Sequence, residues 1–310
     1  MIDRPGILAR IGNTSMVALR HIVPKGSARI LLKCENENPT GSMKDRMALA
    51  MIESAEADGR LEPGGAVVEY TGGSTGVSLA LVCAVKRYRL DIVSSDAFAR
   101  EKLDHMKILG ATLHVVKSDS GRMTAELTRA MIERARAIRE QTGAFWTDQL
   151  RNADQLAAYR AMAEEIWIQT AGRIDGFVQA VGSATSFRGT AERLRERNPK
   201  IHLVAVEPAE SAVLSGGSPG AHKIDGIGAG FVVPLWKEGV ADAMALVSTE
   251  EAKAMALRLA REEGLFAGTS TGANLVAALK LADELGPEAT IVTPMCDTVM
   301  KYLRGLGEAA

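Results

Sequence analysis

The residue best placed for covalent chemistry is Lys44, which enters a predicted helix from a turn. Segment 38–46, Asn-Pro-Thr-Gly-Ser-Met-Lys-Asp-Arg, places this lysine in the first helical turn, where backbone N–H groups are unpaired. The positive end of the helix dipole disfavours an ammonium there by a few tenths to about 1 kcal/mol, which favours the neutral amine that a nucleophile needs. From the spacing alone, a solvated lysine beside Asp45 is the simpler interpretation.

Two loops rich in glycine and hydroxyl groups could bind anions. Residues 71–76, Thr-Gly-Gly-Ser-Thr-Gly, follow a predicted strand and open a helix, and residues 182–186, Gly-Ser-Ala-Thr-Ser, repeat that arrangement. Glycines, hydroxyls and a helix N-terminus together suit a carboxylate or a phosphate, so the two loops predict a ligand with two anionic ends. The first loop has neither the lysine of a Walker A motif nor GxGxxG spacing. As a bare pattern, it is equally typical of a simple strand-to-helix connection.

Other reactive side chains give weaker signals. The segment Cys296-Asp297-Thr298 follows a predicted strand and could bring small polar groups to the same edge of the sheet. A cysteine with no histidine near it in sequence is more typical of a small buried hydrophobe than of a nucleophile. The five histidines show neither metal-ligand spacing nor a Ser/His/Asp grouping, so metal catalysis is not predicted.

The composition narrows the class of protein. The chain has 310 residues, 46% apolar and 24% charged, which predicts a globular protein of two domains. Its 37 basic and 38 acidic residues leave a net charge of -1, which argues against nucleic acid and anionic membranes as partners. Three widely spaced cysteines favour a reducing cytosol over a disulfide framework. Without a basic leader or an apolar run of about 18 residues, neither secretion nor membrane spanning is expected.

The candidate groups must be positioned by alternating strands and helices. Short Val/Ile/Leu runs alternate with longer helical patterns, which predicts an α/β fold with parallel sheets covered by helices. The predicted strands are 30–33, 66–70, 91–94, 112–116, 177–181, 202–206 and 290–293. The predicted helices are 45–57, 77–87, 99–109, 123–140, 153–169, 190–197, 249–263 and 272–285. The helix over 249–263 has the clearest signals, a Ser248/Glu251 capping box and a terminating Gly264.

Two segments punctuate this pattern. Residues 141–143, Gln-Thr-Gly, follow several strand and helix units and predict a domain boundary. Residues 211–230 are the richest in glycine and serine, but they are too short and too apolar at their end for a disordered linker. They predict an ordered loop near a ligand.

Taken together, these segments resemble the cysteine synthase (O-acetylserine sulfhydrylase) and cystathionine β-synthase family of pyridoxal-phosphate enzymes. The resemblance covers nearly the whole chain, and its motifs are residues 11–14 (Ile-Gly-Asn-Thr), 33–46, 207–209 (Glu-Pro-Ala), 222–231 and 262–273. It implies the two-domain fold type II, which is like that of the tryptophan synthase β subunit. The implied domains are a large cofactor-binding domain, 1–40 and 146–310, and a smaller mobile substrate-binding domain, 41–145.

The same resemblance implies roles for individual residues. Lys44 would hold pyridoxal 5'-phosphate as a Schiff base, and the cofactor phosphate would be cradled by Gly182, Ser183, Ala184, Thr185 and Ser186. The substrate carboxylate would be bound by Thr71, Gly72, Gly73, Ser74 and Thr75, assisted by Gln149. Ser74 would also lie near the pyridine 3'-oxygen, Thr298 would face the pyridine nitrogen, and Gly226 would belong to a loop that closes over the substrate.

The implied reaction is a β-replacement. An O-activated serine, with O-acetyl-L-serine as the leading donor, loses its leaving group to give α-aminoacrylate, with Lys44 as general base. Sulfide or another thiol then adds, giving cysteine or a β-substituted alanine. A neutral hydroxyl at the pyridine nitrogen makes a weaker electron sink than a carboxylate would, which favours prompt elimination over transamination. Family precedent implies a homodimer, and the free thiols favour a cytoplasmic location.

Several positions depart from the family pattern and keep alternatives open. In the substrate loop Gly72 replaces Ser and Ser74 replaces Asn; the phosphate loop has Gly-Ser-Ala-Thr-Ser for the common Gly-Thr-Gly-Gly-Thr; Val299 replaces Gly. One alternative is a β-elimination lyase, resembling a cysteine desulfhydrase or a serine dehydratase. Another is a catalytically weak homologue that binds the cofactor and has a regulatory role. A nicotinamide oxidoreductase is disfavoured because its glycine fingerprint is missing.

Overall fold

The computed structural model describes residues 6–119, 121 and 124–301. In this part of the chain, strands and helices alternate. The strands are β1 (Met16–Ala18), β2 (Arg29–Lys33), β3 (Ala66–Tyr70), β4 (Arg89–Ser95), β5 (Thr112–Val116), β6 (Phe145–Trp146), β7 (Gly176–Ala180), β8 (His202–Pro208), β9 (Ala243–Val247) and β10 (Thr290–Pro294). The helices are α1 (Lys44–Ala57), α2 (Ser74–Lys86), α3 (Arg100–Ile108), α4 (Ala125–Thr142), α5 (Gln155–Gln169), α6 (Thr185–Arg197), α7 (Thr249–Glu263) and α8 (Thr269–Leu285).

The chain divides into two compact units. The first unit comprises Met1–Ile11 and Lys44–Gln155, and the second comprises Gly12–Met43 and Leu156–Ala310. These bounds differ from the predicted division at 41–145. The first unit continues past the boundary predicted at 141–143: Gly143 (φ 69°) is the left-handed C-cap of α4, and the chain then adds β6 to the same sheet.

The first unit is built on a parallel sheet with the order β5-β4-β3-β6. All five residues of β3 are buried, as expected for a central strand covered on both faces. On one face α4 packs Met131 and Ile138 against Val68, Tyr70 and Val93. The residues that follow β3 therefore emerge in the middle of the carboxyl edge of this sheet, where α/β proteins bind ligands.

The second unit contains a sheet with the order β1-β2-β10-β7-β8-β9, in which β1 is antiparallel to β2 and the remaining pairs are parallel. Helix α8 lies on this sheet and buries Ala273, Leu275, Ala278 and Leu281 in the core. Because β7 and β10 are neighbours, the segments after Ala180 and Pro294 leave the same edge side by side.

The predicted parallel α/β fold is confirmed, and every predicted strand is present. Helix α7 spans the predicted residues, and Ser248 and Glu251 form the capping box. The short strands β1, β6 and β9 were not predicted, and α6 begins at Thr185 rather than at residue 190. Met123, the predicted start of one helix, lies outside the described residues. No helix within the described ranges is long and apolar enough to cross a bilayer.

Candidate active site

Residues 71–76, the first of the two candidate anion-binding loops and called the first anion loop below, follow the carboxyl end of β3. Gly73 is the N-cap of α2, so Ser74 and Thr75 occupy the first helical turn, earlier than the start predicted at residue 77. The Gly73 N–H donates to Thr71 Oγ1 over 3.2 Å. The first turn of α2 contains no acidic residue, so the positive helix end is not neutralised locally. The loop offers hydroxyls and backbone N–H groups to an anion.

Gln149 lies against this loop. Thr75 Oγ1 donates to Gln149 Oε1 over 2.7 Å. The backbone N–H of Gln149 donates in turn to the carboxylate of Glu69, the penultimate residue of β3, over 3.0 Å. Burial raises the pKa of Glu69 to about 7, although its hydrogen bonds act in the opposite direction. Sequence reasoning missed Glu69, because a glutamate inside a strand signals nothing by itself.

Position 72 has room only for glycine, because the ring of Phe98, a residue that the sequence analysis did not identify, lies against it. A Cβ atom added at Gly72 would overlap Cγ and Cδ2 of the Phe98 ring. Phe98 lies in the turn between β4 and α3 and packs against the cluster that includes Tyr70 and Val93. The absence of a side chain at position 72 therefore has a steric cause within the first unit.

The second anion loop follows β7 in the second unit, and its glycine is held by the backbone of another loop. A Cβ at Gly182 would overlap the carbonyl oxygen of Gly226. The N–H of Gly228 donates to the carbonyl of Val181 over 3.0 Å, which fixes the approach of the two segments. The glycine-rich segment predicted to be an ordered loop thus packs on Gly182.

The rest of this loop leads into the N-terminus of α6. Ala184 is the N-cap of α6 and has a left-handed backbone, with φ 71°. Ser183 Oγ lies 3.0 Å from Thr185 Oγ1, and Gln179 Nε2 donates to Ser186 Oγ over 2.8 Å. The first turn of α6 has no acidic residue. Hydroxyls, a positive helix end and no carboxylate in the first turn make a cradle suited to a phosphate group.

Thr298 lies beside the segment that leads to Lys44. The N–H of Thr298 donates to the Gly41 carbonyl over 3.0 Å, and a Cβ at Gly41 would lie 2.6 Å from Thr298 Cγ2. The N–H of Met43 donates to the Cys296 carbonyl over 2.9 Å. Lys44, which follows Met43, is half-buried and is the first residue of α1. Residues 41–43 and 296–298 are therefore fixed to each other immediately before the lysine.

Two further polar residues organise the edge of the second unit. Asn274 Oδ1 accepts the N–H of Ala180, and Asn274 Nδ2 donates to the Pro294 carbonyl, so one buried amide connects the ends of β7 and β10. Thr271 Oγ1 accepts the N–H of Cys296 over 3.1 Å. Val299, which replaces the glycine of the family pattern, is fully buried, and its side chain packs against Ala256 of α7. Within the described residues, no cluster of three metal-ligating side chains was found.

The sequence pattern of the family described as "Pyridoxal-phosphate dependent enzyme" matches residues 7–297. The chain belongs to this family. Pyridoxal-phosphate dependent enzymes similar to it include a cysteine synthase of Staphylococcus aureus, with 37% identity over 295 residues that cover 94% of this chain and 93% of the relative. The resemblance predicted from the motifs is thereby confirmed.

Solved structures of pyridoxal-phosphate dependent enzymes have the same fold. A cysteine synthase from Entamoeba histolytica superposes with a TM-score of 0.91 at 37% identity, covering 97% of this chain and 89% of that one. An O-ureido-L-serine synthase also gives a TM-score of 0.91, at 33% identity, covering 97% of this chain and 94% of that one. The fold is type II, as expected.

Proposed function

We propose that this pyridoxal-phosphate enzyme performs β-replacement on an O-activated serine. O-acetyl-L-serine is the leading donor, and sulfide or another thiol displaces acetate to give cysteine or a β-substituted alanine. The observation that carries this proposal is the similarity to cysteine synthases, which extends over more than nine tenths of the chain. The O-ureido-L-serine synthase, by its name, makes a different β-substituted alanine, which indicates that the product varies among similar structures.

The second anion loop fits the cofactor phosphate. Gly182 leaves the loop without a side chain where Gly226 approaches it, and the left-handed Ala184 is the N-cap of α6. The hydroxyls of Ser183, Thr185 and Ser186 complete the donor set. The proposed phosphate contacts are thus Gly182, Ser183, Ala184, Thr185 and Ser186.

Lys44 is the proposed catalytic residue. When bound, pyridoxal phosphate withdraws electrons from the Cα of the amino acid and so acidifies its proton. Lys44 Nζ would anchor the cofactor, accept that proton as general base, and return it once the new bond to Cβ has formed.

The first anion loop is the proposed site of the substrate carboxylate. Thr71, Gly72, Gly73, Ser74 and Thr75 would hold the two oxygens through hydroxyl and backbone donors, and Gln149 Nε2 would add an amide donor. Gln149 Oε1 already accepts from Thr75, which orients the amide. Ser74 would also approach the 3'-oxygen of the pyridine ring, and Gly226 would belong to the loop that excludes water from the bound substrate.

Thr298 is proposed to face the pyridine nitrogen of the cofactor. Its hydroxyl oxygen accepts the N–H of Met300 over 3.3 Å, so it can present its own proton to an acceptor. A neutral hydroxyl leaves the nitrogen unprotonated, which suits elimination from Cβ better than transamination.

The quaternary state and compartment complete the proposal. We place the enzyme in the cytoplasm as a homodimer whose partners are small molecules rather than nucleic acid or membrane. The three cysteines are free and buried, which suits a reducing compartment. Sedimentation of the purified protein tests the dimer, for which the expected mass is twice 33.0 kDa.

The test begins with purified protein loaded with pyridoxal phosphate and treated with borohydride. Peptide mapping should place the reduced adduct on Lys44. Lys44→Ala should lose at least about 1,000-fold in turnover of O-acetyl-L-serine with sulfide, whereas Lys237→Ala, on the exposed surface, should retain it. An adduct on another lysine would overturn the assignment. Pyruvate release at the same rate with and without a thiol would instead identify a lyase.

A further inference from the structure

Glu69 is a buried carboxylate whose two oxygens accept four hydrogen bonds. Oε1 accepts the N–H of Tyr70 over 2.9 Å and Trp146 Nε1 over 3.4 Å. Oε2 accepts Thr147 Oγ1 over 2.6 Å and the N–H of Gln149 over 3.0 Å. A neutral glutamine has only one accepting oxygen, so this set of donors requires the two oxygens of a carboxyl group. Burial of a charge is costly, and an apolar side chain would fill a core more cheaply.

The segment held by Glu69 has a strained backbone. Asp148 lies between Thr147 and Gln149 and has a positive φ of 43°, which costs a non-glycine residue on the order of 1 kcal/mol or more. Oε2 of Glu69 binds the residue on each side of Asp148. Gln155 Nε2 adds a third restraint by donating to the Gln149 carbonyl over 2.8 Å. The conformation of the turn at 147–149 is therefore stabilised by hydrogen bonds to residues outside the turn, Glu69 and Gln155.

The restrained turn ends at the side chain that meets the first anion loop. Gln149 Oε1 accepts from Thr75 Oγ1, and both residues belong to the first unit. We propose that Glu69 is a positioning residue for the amino-acid substrate, which holds the turn 147–149 so that Gln149 and Thr75 together receive the substrate carboxylate. This inference rests on the proposed function, because it assigns the carboxylate to that loop.

Glu69→Gln isolates the proposed role. The amide oxygen can still accept from Tyr70 and Trp146, but the NH2 group then faces the N–H of Gln149, where two donors oppose each other. The Thr147 hydroxyl can rotate and accept instead. The substitution therefore releases mainly Gln149. Thr147→Val is a second variant, which removes one donor to the same oxygen and leaves the carboxylate intact.

The cofactor-loaded enzyme should lose donor affinity and little else. For Glu69→Gln we expect the KM for O-acetyl-L-serine to rise about tenfold, with kcat and the KM for sulfide within twofold of the wild type. Thr147→Val should raise the donor KM about threefold. Glu56→Gln is the matched control: this α1 carboxylate accepts from Lys86 and Tyr88 elsewhere in the same unit, and its loss should change neither constant.

A double-mutant cycle separates positioning from a general loss of structure. Gln149→Ala removes the side chain that Glu69 positions, so Glu69→Gln in that background should raise the donor KM less than twofold further. Binding of unreactive L-alanine, measured by calorimetry, should weaken in parallel with the rise in KM. Equal effects of Glu69→Gln with and without Gln149, or a fall in kcat with unchanged KM, would overturn the inference. If the wild type converts no O-activated serine, the proposed function itself has failed.

Discussion

The two anion loops have the same plan but are supported differently. Both leave a buried central strand, contain a glycine that cannot bear a side chain, and open a helix whose first turn is free of acidic residues. In the loop at 182–186 the glycine faces backbone, the carbonyl of Gly226. In the loop at 71–76 the glycine faces a side chain, the ring of Phe98.

The two kinds of support differ in how they tolerate substitution of side chains. A backbone support does not depend on the side chain that carries it, so the second loop can retain one geometry while its hydroxyl residues vary. The first loop is shaped by the side chains of Phe98, Gln149 and Glu69. The backbone support at 182–186 suits a ligand that does not vary, such as a phosphate group, and the side-chain support at 71–76 suits a ligand whose recognition can be altered by substitution.

The largest effect is expected when the backbone-supported glycine is changed. Gly182→Ala places a methyl group on the Gly226 carbonyl, which cannot rotate away, so affinity for pyridoxal phosphate should fall at least about 100-fold, or about 3 kcal/mol. Absorbance titration of the cofactor-free protein measures this. Gly73→Ala is the control, since its Cβ would meet nothing closer than 4.0 Å. If Gly182→Ala binds pyridoxal phosphate with an affinity within threefold of the wild type, the assignment of the cofactor phosphate to this loop is contradicted.

A smaller effect is expected at the glycine that faces a side chain, and it should be reversible. Gly72→Ser drives its Cβ into Phe98 and should destabilise the protein by about 2 kcal/mol, measured by urea unfolding. Because the obstacle is one ring, Gly72→Ser combined with Phe98→Ala should be more stable than the sum of the two single effects by at least about 1 kcal/mol. If the effects of the two substitutions on the free energy of unfolding are strictly additive, Phe98 is not the reason that position 72 requires glycine.

The smallest effect concerns the left-handed residue of the second loop. Ala184→Gly removes a Cβ from a residue at φ 71° and should raise the free energy of unfolding by up to about 1 kcal/mol. Ala191→Gly, in the interior of the same helix, should lower it by about 1 kcal/mol. Urea unfolding of both variants provides the check. Two losses of similar size would contradict the strained geometry at Ala184.

The sequence was informative where local chemistry decides the structure. The capping box at Ser248 and Glu251 and the terminator Gly264 defined α7 because both signals act within a few residues. The helix α6 was predicted to start at residue 190, after Gly189, whereas it begins at Thr185. The lack of a side chain at Gly189 allows close packing on Leu156 and Tyr159. The strand β9, Ala-Met-Ala-Leu-Val, has a helix-forming composition and is fixed by pairing with β8.

The site shows the same division between local and long-range information. The glycines, the hydroxyls and Lys44 could be found because they form short motifs. Phe98 and Glu69 could not, because their importance comes from contacts across strand connections, with Gly72 and with Gln149. Gly143 does not by itself locate a domain boundary, because a glycine after a helix marks a C-cap whether or not a domain ends there.

The position of β10 has a consequence for how the protein is made. This strand lies between β2 and β7, although it is the last strand in the described sequence. During synthesis, the parallel sheet of the second unit lacks an inner member until residue 294 has left the ribosome, so β2 and β7 expose unpaired edges until then. The sheet of the first unit, formed by residues 66–146, has all its strands much earlier. A nascent chain is therefore most prone to aggregate late in translation, through its second unit.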